Sequence, residues 1–466
     1  MKYSFTILLT LMIFCSGFAQ SPNSFSVVLD KKLSDWVTVP CEESGFCVVA
    51  EKKTKDYTQL IINHFDTTMH TVFDTALTVD LDSKSQFVFY ENGALVVLYR
   101  IYQKKRYTDR GILLFYHPDT KRLDSLTVSG LPVDGGNGWW HHYAGNILFT
   151  DMAKRGDQVW YLPAGATQPL PFSFTMENPG KVLCTAIDTA QGKAVICFGT
   201  GGRTAYFETD FNGKSSFANI LNEPATNAQW ISVGRNHSLL MLYYEDEETF
   251  YLHPINILNH KVMPTDTVYC ADFRAPKTLP VSAKAKKTII ISPYSFITFL
   301  PTFIHMDNNR ISCITELYNP EYYNYFNGMY VETRFYGYRY ERADVHFFDT
   351  NGVFQTNVTF PYGNDGFTQQ NITFRLRMNT LQNQDLLLYY RDEQVLTTML
   401  LDSVLRVKDP IRTSNLPVPQ IPLKKQKILV DRFVPWYHNK FLLTNFRINA
   451  ISREKTAYDA TRLEYR

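Results

Sequence analysis

Short apolar runs recur along this chain of 466 residues, and turn residues separate them. Helical periodicity is nearly absent, and runs rich in Val, Ile, Leu, Phe and Tyr between polar turns predict many short β-strands. One such run recurs in a similar setting as FCVVAEK from Phe46, ALVVLYR from Ala94, ILFTDM from Ile147, AVICFG from Ala194, LLMLYY from Leu239, ISCITEL from Ile311, LLLYYRD from Leu386 and FLLTNF from Phe441. The intervals are 48, 53, 47, 45, 72, 75 and 55 residues, so five of the seven lie near 50.

Most of these runs lead into a charged or glycine-containing turn, a second apolar run and a polar turn. The pattern is clear in LLFYHPDTKRLDSLTV (113–128), AYFETDFNGKSSFANI (205–220) and VHFFDTNGVFQTNVTF (345–360). Asp, Asn and Gly suit these turns because they tolerate the backbone angles of tight hairpins. A unit of about 45–50 residues with four short strands resembles a β-propeller blade. The sequence therefore predicts an all-β fold, a β-propeller of eight four-stranded blades, with seven blades as the alternative.

The two ends of the chain are expected to share one blade. The last repeat, which ends in REKTAYDATRLEYR (453–466), is short by one strand, and SFSVVLD (24–30) precedes the first repeat without an obvious partner. We expect the N-terminal strand to complete the last blade and close the ring, because closure leaves no open sheet edge. The repeat as a whole resembles the general class of exported bacterial β-propeller proteins, and this resemblance implies no particular activity.

Tryptophan precedes the recurring run in four repeats. WWHHYAGNILFT (139–150) parallels PWYHNKFLLTNF (435–446), and Trp36 and Trp230 stand in comparable positions. We expect the recurring run to be the innermost strand of its blade, with the large aromatic ring packed on the neighbouring blade.

The first twenty residues, MKYSFTILLTLMIFCSGFAQ, have the three-part pattern of a secretory signal peptide. We expect residues 1–19 to be removed and the mature chain to work in the periplasm or at the cell surface. Phe14 before Cys15 disfavours a lipid anchor, since a lipobox has a small residue there. Residues 20–466 are expected to form one domain with insertions at about 268–301 and 318–342, without a transmembrane segment.

Composition excludes some classes of function. The chain carries 47 basic and 45 acidic residues, so it has no basic excess that would favour nucleic acid. Aromatic residues make up 15% of the chain, which provides ample material for a core and argues against disorder.

Six cysteines follow the predicted signal peptide: Cys41, Cys47, Cys184, Cys197, Cys270 and Cys313. Cys41 and Cys47 flank a tight turn, and Cys184 and Cys197 flank a turn between two strand-like runs. Each of these pairs could face across a hairpin and form a disulfide in an oxidising compartment. The even count is compatible with a third disulfide, between Cys270 and Cys313. The alternative is buried free thiols, because Cys is among the most buried residue types. The spacings do not resemble those of paired zinc ligands.

Trp140, His141, His142 and Tyr143 are candidates for a ligand site. On a strand, His141 and His142 point to opposite faces, so at most one of them faces the propeller channel. A metal site would need a third ligand from another blade, and the sequence identifies none, so we predict no metal. The alternative to ligand binding is structural packing of this strand.

A second candidate surface is YNPEYYNYFNGMYVETRFYGYRYERADVHFF (318–348), which lengthens the sixth repeat. Tyr336, Tyr338 and Tyr340 alternate at a period of two and would line one face of a strand, together with Glu332 and Arg334. Exposed Tyr beside Asn and Arg suits contacts with protein or sugar. The alternative is a hairpin folded over the propeller side with its hydroxyls in water.

The sequence contains no G-x-S-x-G elbow, H-E-x-x-H motif, P-loop or EF-hand loop. We therefore predict a non-enzymatic binding or scaffold protein that acts through a propeller face and the Tyr-rich extension, with a protein or glycan partner at the cell envelope and without a cofactor. The alternative is a carbohydrate-active hydrolase or lyase whose carboxylates meet in the axial pocket. Such carboxylates come from different blades, and spacing in one sequence does not reveal them.

Overall fold

The computed structural model describes the chain from residue 18 to residue 465, except for residues 29–32, 81, 104–105, 133–137, 154–155, 173–179, 189–191, 201, 211–214, 233–236, 245–248, 257–260, 263–266, 270–288, 291–297, 308–309, 327–329, 351–352, 363–366, 370–374, 418–425 and 453. Apart from one 3-10 turn at Glu42–Ser44, every regular element among these residues is a β-strand. No helix in this part of the chain is long and apolar enough to cross a membrane.

The strands fall into eight groups along the chain, preceded by β1 (Phe18–Val28). The first four groups are β2 (Leu33–Pro40), β3 (Phe46–Lys53), β4 (Thr58–Phe65), β5 (Thr71–Val79); β6 (Ser83–Glu91), β7 (Ala94–Gln103), β8 (Arg106–His117), β9 (Arg122–Val128); β10 (Trp140–Tyr143), β11 (Asn146–Ala153), β12 (Gly156–Leu162), β13 (Leu170–Pro171); and β14 (Lys181–Asp188), β15 (Lys193–Thr200), β16 (Arg203–Thr209), β17 (Ser215–Leu221).

The last four groups are β18 (Asn227–Ser232), β19 (His237–Tyr244), β20 (Thr249–Asn256), β21 (Lys261–Val262), β22 (Thr267–Tyr269); β23 (Ile289–Ile290), β24 (Thr298–Asp307), β25 (Arg310–Phe326), β26 (Val331–Asp349), β27 (Phe354–Pro361), β28 (Phe367–Gln369); β29 (Arg377–Thr380), β30 (Leu386–Asp392), β31 (Val395–Leu401), β32 (Val407–Asn415); and β33 (Gln426–Tyr437), β34 (Lys440–Asn449), β35 (Lys455–Tyr465).

Each group of strands pairs internally as an antiparallel sheet. Six sheets have four strands, the sheet of β18–β22 has five, and the sheet of β23–β28 has six. The predicted all-β β-propeller class is confirmed, with a small antiparallel sheet as the repeating unit. The count of eight four-stranded blades is not confirmed, because two sheets depart from four strands; seven remains the alternative.

All eight recurring runs form the second strand of their sheets, namely β3, β7, β11, β15, β19, β25, β30 and β34. The expectation that the recurring run is the innermost strand is wrong, because each of these strands is paired on both sides. The strand ahead of it carries the tryptophan. Trp36, Trp140, Trp230 and Trp436 lie on the edge strands β2, β10, β18 and β33.

Packing on two faces explains why the second strand is a continuous apolar run. Val49 of β3 lies in a buried cluster with Leu95 of β7, whereas Phe46 of the same strand lies in a cluster with Leu442 of β34. The fourth strand β5 has no buried residue, and its positions alternate between exposed and partly buried. Alternation therefore survives only where one side of the strand faces water.

The N-terminal strand completes the last sheet, as predicted. β1 pairs antiparallel with β35, so that Val27 lies opposite Tyr458 and Ser26 opposite Asp459. The pairing includes Phe18 and Ala19, which lie ahead of the predicted cleavage point at Gln20. Residues 1–17 lie outside the described residues, and the signal peptide stays a prediction.

The chain divides into two compact units. One comprises Met1–Asp134, Gly165–Pro169 and Asn379–Arg466, and the other Gly135–Ala164 and Leu170–Met378. The expectation of a single domain over residues 20–466 stays a prediction. Of the two expected insertions, 268–301 falls mostly outside the described residues, whereas 318–342 lies in the long strands β25 and β26.

Candidate functional site

Strands β25 and β26 form a hairpin that continues past the neighbouring strands of its sheet. Their pairing runs from Arg310 with Asp349 to Phe326 with Val331. On one side, β24 pairs with β25 up to Tyr318 and β23 pairs with it at Tyr322 and Tyr323. On the other side, β27 pairs with β26 from Arg342 onward and β28 pairs with it from Tyr338 to Tyr340, so the hairpin extends past its neighbours only near its tip. Six large side chains near the hairpin tip have exposed fractions between 43% and 65%, namely Tyr325, Phe326, Tyr330, Val331, Phe335 and Tyr336. We call this set the hairpin patch.

A β-bulge interrupts the tyrosine alternation on β26. Glu321 lies opposite Gly337, but the next residue, Tyr322, lies opposite Phe335. Tyr336 is therefore the extra residue of the bulge, which shifts the two sides of the strand out of their regular alternation. The glycine at 337 was the only signal of this bulge in the sequence, because glycine inside a strand often marks one.

The three candidate tyrosines do not share one exposed face, contrary to the expectation. Tyr336 is 50% exposed, Tyr338 is partly buried, and Tyr340 is fully buried. The Tyr340 ring lies 5.7 Å from that of Tyr318 and 6.2 Å from that of Tyr362. Of the three, only Tyr336 belongs to the hairpin patch, and Tyr340 is part of the core.

Charged side chains of the hairpin pair with one another. Arg334 Nη2 lies 2.9 Å from Glu332 Oε2, and the same guanidinium lies over the Tyr325 ring at 4.2 Å from its centroid. Arg339 Nη1 lies 3.6 Å from Glu321 Oε1. These pairs leave the hairpin patch apolar and aromatic, with its nearby charges balanced.

A buried carboxylate holds the base of the hairpin. Glu316 of β25 is fully buried and accepts hydrogen bonds from the Tyr362 hydroxyl, from Leu376 N over 2.7 Å and from Arg375 N over 2.9 Å. Burial raises the pKa of Glu316, and these donors act against that shift. The contacts tie β25 to two segments later in the chain.

The histidine pair lies on the short edge strand β10. His142 is buried, and its Nε2 accepts a hydrogen bond from Gly145 N over 3.2 Å. His141 is partly buried and lies opposite Leu148, and Tyr143 begins the tight turn to Asn146. His142 thus stabilises the turn, and no group of three metal-ligating side chains occurs in the described part of the chain.

Trp140 packs against its own sheet. Its ring stacks on Phe149 with centroids 4.3 Å apart and an interplanar angle of 7°. Phe149 in turn lies parallel to Trp160 at 6.5 Å. These stacked rings span the three adjacent strands β10, β11 and β12, so packing within the sheet accounts for the presence of Trp140. A ligand role for residues 140–143 stays a prediction.

Both predicted cysteine pairs face each other. Cys41 donates a hydrogen bond to Cys47 with the sulfur atoms 3.5 Å apart, and Cys184 lies directly opposite Cys197 on β14 and β15. All four thiols are free and buried, and Cys313 is a further buried thiol. The disulfides themselves stay a prediction.

A cleft in the first unit was missed by sequence reasoning. It encloses about 500 Å³ and is lined by Glu42, Glu43, Ser44, Tyr90, Gly93, Asp119, Trp436, Tyr437 and His438. Four turns supply these residues, from sequence positions nearly 400 apart. The only feature of the sequence that pointed to this cleft was PWYHNK (435–440), which parallels the Trp-His segment of the third repeat.

Two contacts between side chains organise the cleft. His438 Nε2 lies 3.0 Å from Glu43 Oε1, and the Ser44 hydroxyl donates to Asp119. Burial, followed by the carboxylate of Glu42, raises the pKa of Tyr90. Carboxylates beside aromatic rings favour a cationic group over an anion in such a cleft.

The turn that forms one wall of the cleft is braced by a neutral histidine. His64 Nε2 lies 2.7 Å from the Ser44 carbonyl oxygen, and its Nδ1 lies 2.8 Å from the Tyr116 hydroxyl. Burial lowers the pKa of His64. The ring therefore donates to the carbonyl and accepts from the tyrosine, which fixes the position of residues 42–45.

No family model matches the chain, and no curated protein matches its sequence. Among solved structures, it is similar to apo prolyl oligopeptidase B from Galerina marginata, with a TM-score of 0.41 and 8% identity over 90% of this chain and 56% of that chain. It is similar to the dihydro-heme d1 dehydrogenase NirN in complex with DHE, with a TM-score of 0.43 and 10% identity over 94% and 75%.

A third similar structure is the WD40 domain of Toxoplasma gondii coronin, with a TM-score of 0.33 and 11% identity over 96% of this chain and 88% of that chain. The chain spans about half the length of the prolyl endopeptidases that it matches, at 55% and 56%. At these identities the likeness concerns the fold alone, and neither a family nor an activity follows from it.

Proposed function

We propose that this chain is a non-enzymatic binding protein whose β25–β26 hairpin docks on a protein partner. The observation that carries the proposal is the hairpin patch, in which six large apolar and aromatic side chains lie within twelve residues and remain 43–65% exposed. Exposed apolar residues scattered singly are normal on a soluble protein, whereas their concentration at one hairpin tip favours an interaction surface.

The chemistry of the patch suits a protein surface. Tyr and Phe rings offer large contact areas at a low cost in side-chain entropy, and Arg beside them is enriched at binding hot spots. Because Arg334 pairs with Glu332, the hairpin carries no excess of basic charge that would attract an anionic membrane. A partner protein with an apolar, weakly charged surface fits these features best.

The site of action is part of the proposal. The N-terminal sequence has the pattern of a signal peptide, which supports work outside the cytoplasm, in the periplasm or at the cell surface. The partner is then another protein of the cell envelope.

The carbohydrate-active alternative has less support among the described residues. The cleft brings Glu42, Glu43 and Asp119 together, but Glu43 is paired with His438 and Asp119 accepts from Ser44. Glycosidases need one carboxyl group to protonate the leaving group and a second to act as base or nucleophile. Two of these three carboxylates already have structural partners.

Site-specific photo-crosslinking in cells tests the docking surface. A photoreactive phenylalanine analogue replaces Phe326, and a matched analogue replaces Val404, which is also 65% exposed but lies on the turn before β32. We expect a discrete protein adduct from position 326 and not from position 404. The captured protein is then purified and its affinity for the full chain is measured.

The affinity between the purified chain and its captured partner protein then tests the docking surface. The double variant Phe326→Ser/Phe335→Ser should bind at least about tenfold more weakly, a loss of about 1.4 kcal/mol, while Val404→Ser should bind like the wild type. Equal adducts from both positions, adducts with lipid or with a second copy of this chain only, or unchanged affinity of the double variant would overturn the proposal.

A further inference from the structure

Two cysteine pairs in the structure have no part in the proposed docking surface. Cys41 and Cys47 are fully buried and lie across the turn between β2 and β3, with their sulfur atoms 3.5 Å apart. Cys184 and Cys197 lie opposite each other on β14 and β15 and are also buried. The same arrangement therefore occurs twice, in separate sheets.

A fifth described cysteine provides the contrast. Cys313 is fully buried on β25, and its sulfur lies 3.8 Å from the thioether sulfur of Met241. A thioether cannot form a disulfide with a thiol. Burial alone thus does not distinguish the two pairs from Cys313, whereas an opposing thiol among the described residues does.

We propose that the Cys41–Cys47 pair and the Cys184–Cys197 pair are each oxidised to an intramolecular structural disulfide as the chain folds, while Cys313 remains a thiol. The inference is independent of the docking function. Disulfide formation is thus assigned to Cys41, Cys47, Cys184 and Cys197, and a free thiol to Cys313.

The chemistry balances with a small disulfide as the oxidant. One cysteine thiolate attacks the disulfide, for example oxidised glutathione, and forms a mixed disulfide with release of one glutathione thiolate. The second cysteine then attacks the mixed disulfide and releases the second thiolate. For each pair, two S–H bonds are lost, one S–S bond forms, and the two protons and two electrons end on two molecules of glutathione.

The geometry requires little movement. The backbone of the first turn is already closed, since Cys41 N donates to Gly45 O over 2.8 Å and Ser44 N donates to Cys41 O over 3.1 Å. In the second pair, directly opposite residues of antiparallel strands have Cβ atoms about 4.5–5.5 Å apart. A disulfide spans about 3.5–4.5 Å between Cβ atoms, so a small local shift is sufficient.

Burial of the thiols determines at which stage of folding they are oxidised. Hydrogen bonding with Cys41, and then burial, raises the pKa of Cys47, and hydrogen bonding with Cys184, and then burial, raises the pKa of Cys197. All four sulfur atoms lie in buried side chains, which restricts the access of a disulfide oxidant, so exchange is strongly slowed once the sheet has formed. The bonds therefore form before burial is complete, and in the folded protein they resist reduction.

Oxidation of the first pair would brace a contact between distant parts of the chain. The six-residue interval from Cys41 to Cys47 includes Gly45, whose carbonyl oxygen accepts the hydrogen bond from the Trp436 indole. A disulfide across this turn would restrict the residues that present that carbonyl group.

Refolding under defined redox conditions tests the proposal. The full chain is unfolded in reductant, refolded in glutathione buffers of increasing oxidised fraction, quenched with N-ethylmaleimide and mapped by peptide mass spectrometry. We expect alkylation to be lost together at Cys41 and Cys47, and together at Cys184 and Cys197, with two hydrogens lost per pair. Cys313 should stay alkylated in every buffer in which both pairs are oxidised.

Single-cysteine variants supply the matched control. In Cys41→Ser, Cys47 should be alkylated like Cys313 while the Cys184–Cys197 bond still forms, and in Cys184→Ser the reverse should hold. Because each variant leaves one pair intact, that pair also reports whether the chain has folded. Alkylation of all five positions to the same extent in the most oxidising buffer, or linkage to other cysteines or other chains, would overturn the proposal.

Discussion

The indole Nε1 of Trp436 donates a hydrogen bond of 2.6 Å to the carbonyl oxygen of Gly45. Trp436 lies on β33, the edge strand of the last sheet, and Gly45 lies in the turn between β2 and β3 of the first sheet. The Trp436 ring also meets Phe46 edge to face, with centroids 5.5 Å apart. The first and last sheets of the chain are therefore joined by a polar and an apolar contact of one side chain.

Removing only the polar contact should weaken this junction. Trp436→Phe keeps an aromatic ring but removes one of the two donors to the carbonyl oxygen of Gly45, which still accepts from Cys41 N. We therefore expect a loss of about 0.5–1.5 kcal/mol of unfolding free energy. Trp436→Ala should cost about 3–5 kcal/mol, because it also leaves a cavity. Urea denaturation followed by circular dichroism measures both. A Phe variant as stable as the wild type would show that the hydrogen bond contributes nothing.

Two glycines with positive φ should respond differently to a methyl group. A Cβ at Gly45 would lie 1.9 Å from the carbonyl oxygen of Phe65, whereas a Cβ at Gly93 would meet nothing within 4 Å. Gly93→Ala should cost about 1–2 kcal/mol for the left-handed backbone alone. Gly45→Ala should cost at least about 2 kcal/mol more, since backbone must move. Equal urea midpoints for the two variants would refute this account of Gly45.

A buried histidine should make stability fall in mild acid. Burial, and then the charge of Arg342, lowers the pKa of His346 to about 4 in the folded protein, whereas an unfolded chain has a pKa of about 6.5. The unfolded state therefore binds the proton more tightly. The stabilisation is complete above about pH 6.5 and is lost as the pH falls toward about 4, by a total of about 3 kcal/mol.

The variant His346→Gln isolates this effect from nearby carboxyl groups. Burial raises the pKa of Glu316 and of Asp344, and these groups change stability with the opposite sign as the pH falls. The unfolding free energy of the wild type minus that of His346→Gln should therefore decrease as the pH falls from about 6.5 to 4. An identical pH profile for His346→Gln would contradict the assignment.

Two arginine ion pairs of β26 should differ in importance. Arg342 Nε lies 3.2 Å from Asp344 Oδ2, with the side chains 15% and 1% exposed, whereas the side chains of Arg334 and Glu332 are 50% and 31% exposed. Arg342→Met leaves a buried carboxylate without its cation and should cost about 3–5 kcal/mol. Arg334→Met should leave the urea midpoint close to that of the wild type, because water screens an exposed ion pair. If the urea midpoints of both variants fall equally, burial does not determine how much these ion pairs contribute to stability.

Features that depend on local periodicity were predictable from the sequence. The eight recurring apolar runs correspond to eight second strands, and the unpaired N-terminal segment completes the last sheet. The opposing cysteines also followed from their symmetric placement about short turns. In each case, strand geometry and turn length relate neighbours in the sequence to neighbours in space.

Other features depend on contacts between residues that are far apart in the sequence. The recurring run was expected at the inner edge of its sheet, but it pairs with the strand that carries the tryptophan and therefore lies inside the sheet. The sequence did not reveal this, because the apolar content of a strand indicates its burial but not its position in the strand order. The bulge at Tyr336 takes this residue out of the alternation that a period of two would give it with Tyr338 and Tyr340.

The sequence by itself determined that this protein is built from small antiparallel sheets, because hydrophobic alternation and turn residues act over a few positions. Only the tertiary structure decided that Tyr340 is buried while Tyr336 is exposed, and that Glu42, Asp119 and His438 line one cleft. The reason is physical: burial and proximity arise from the packing of sheets, and that packing joins turns hundreds of residues apart.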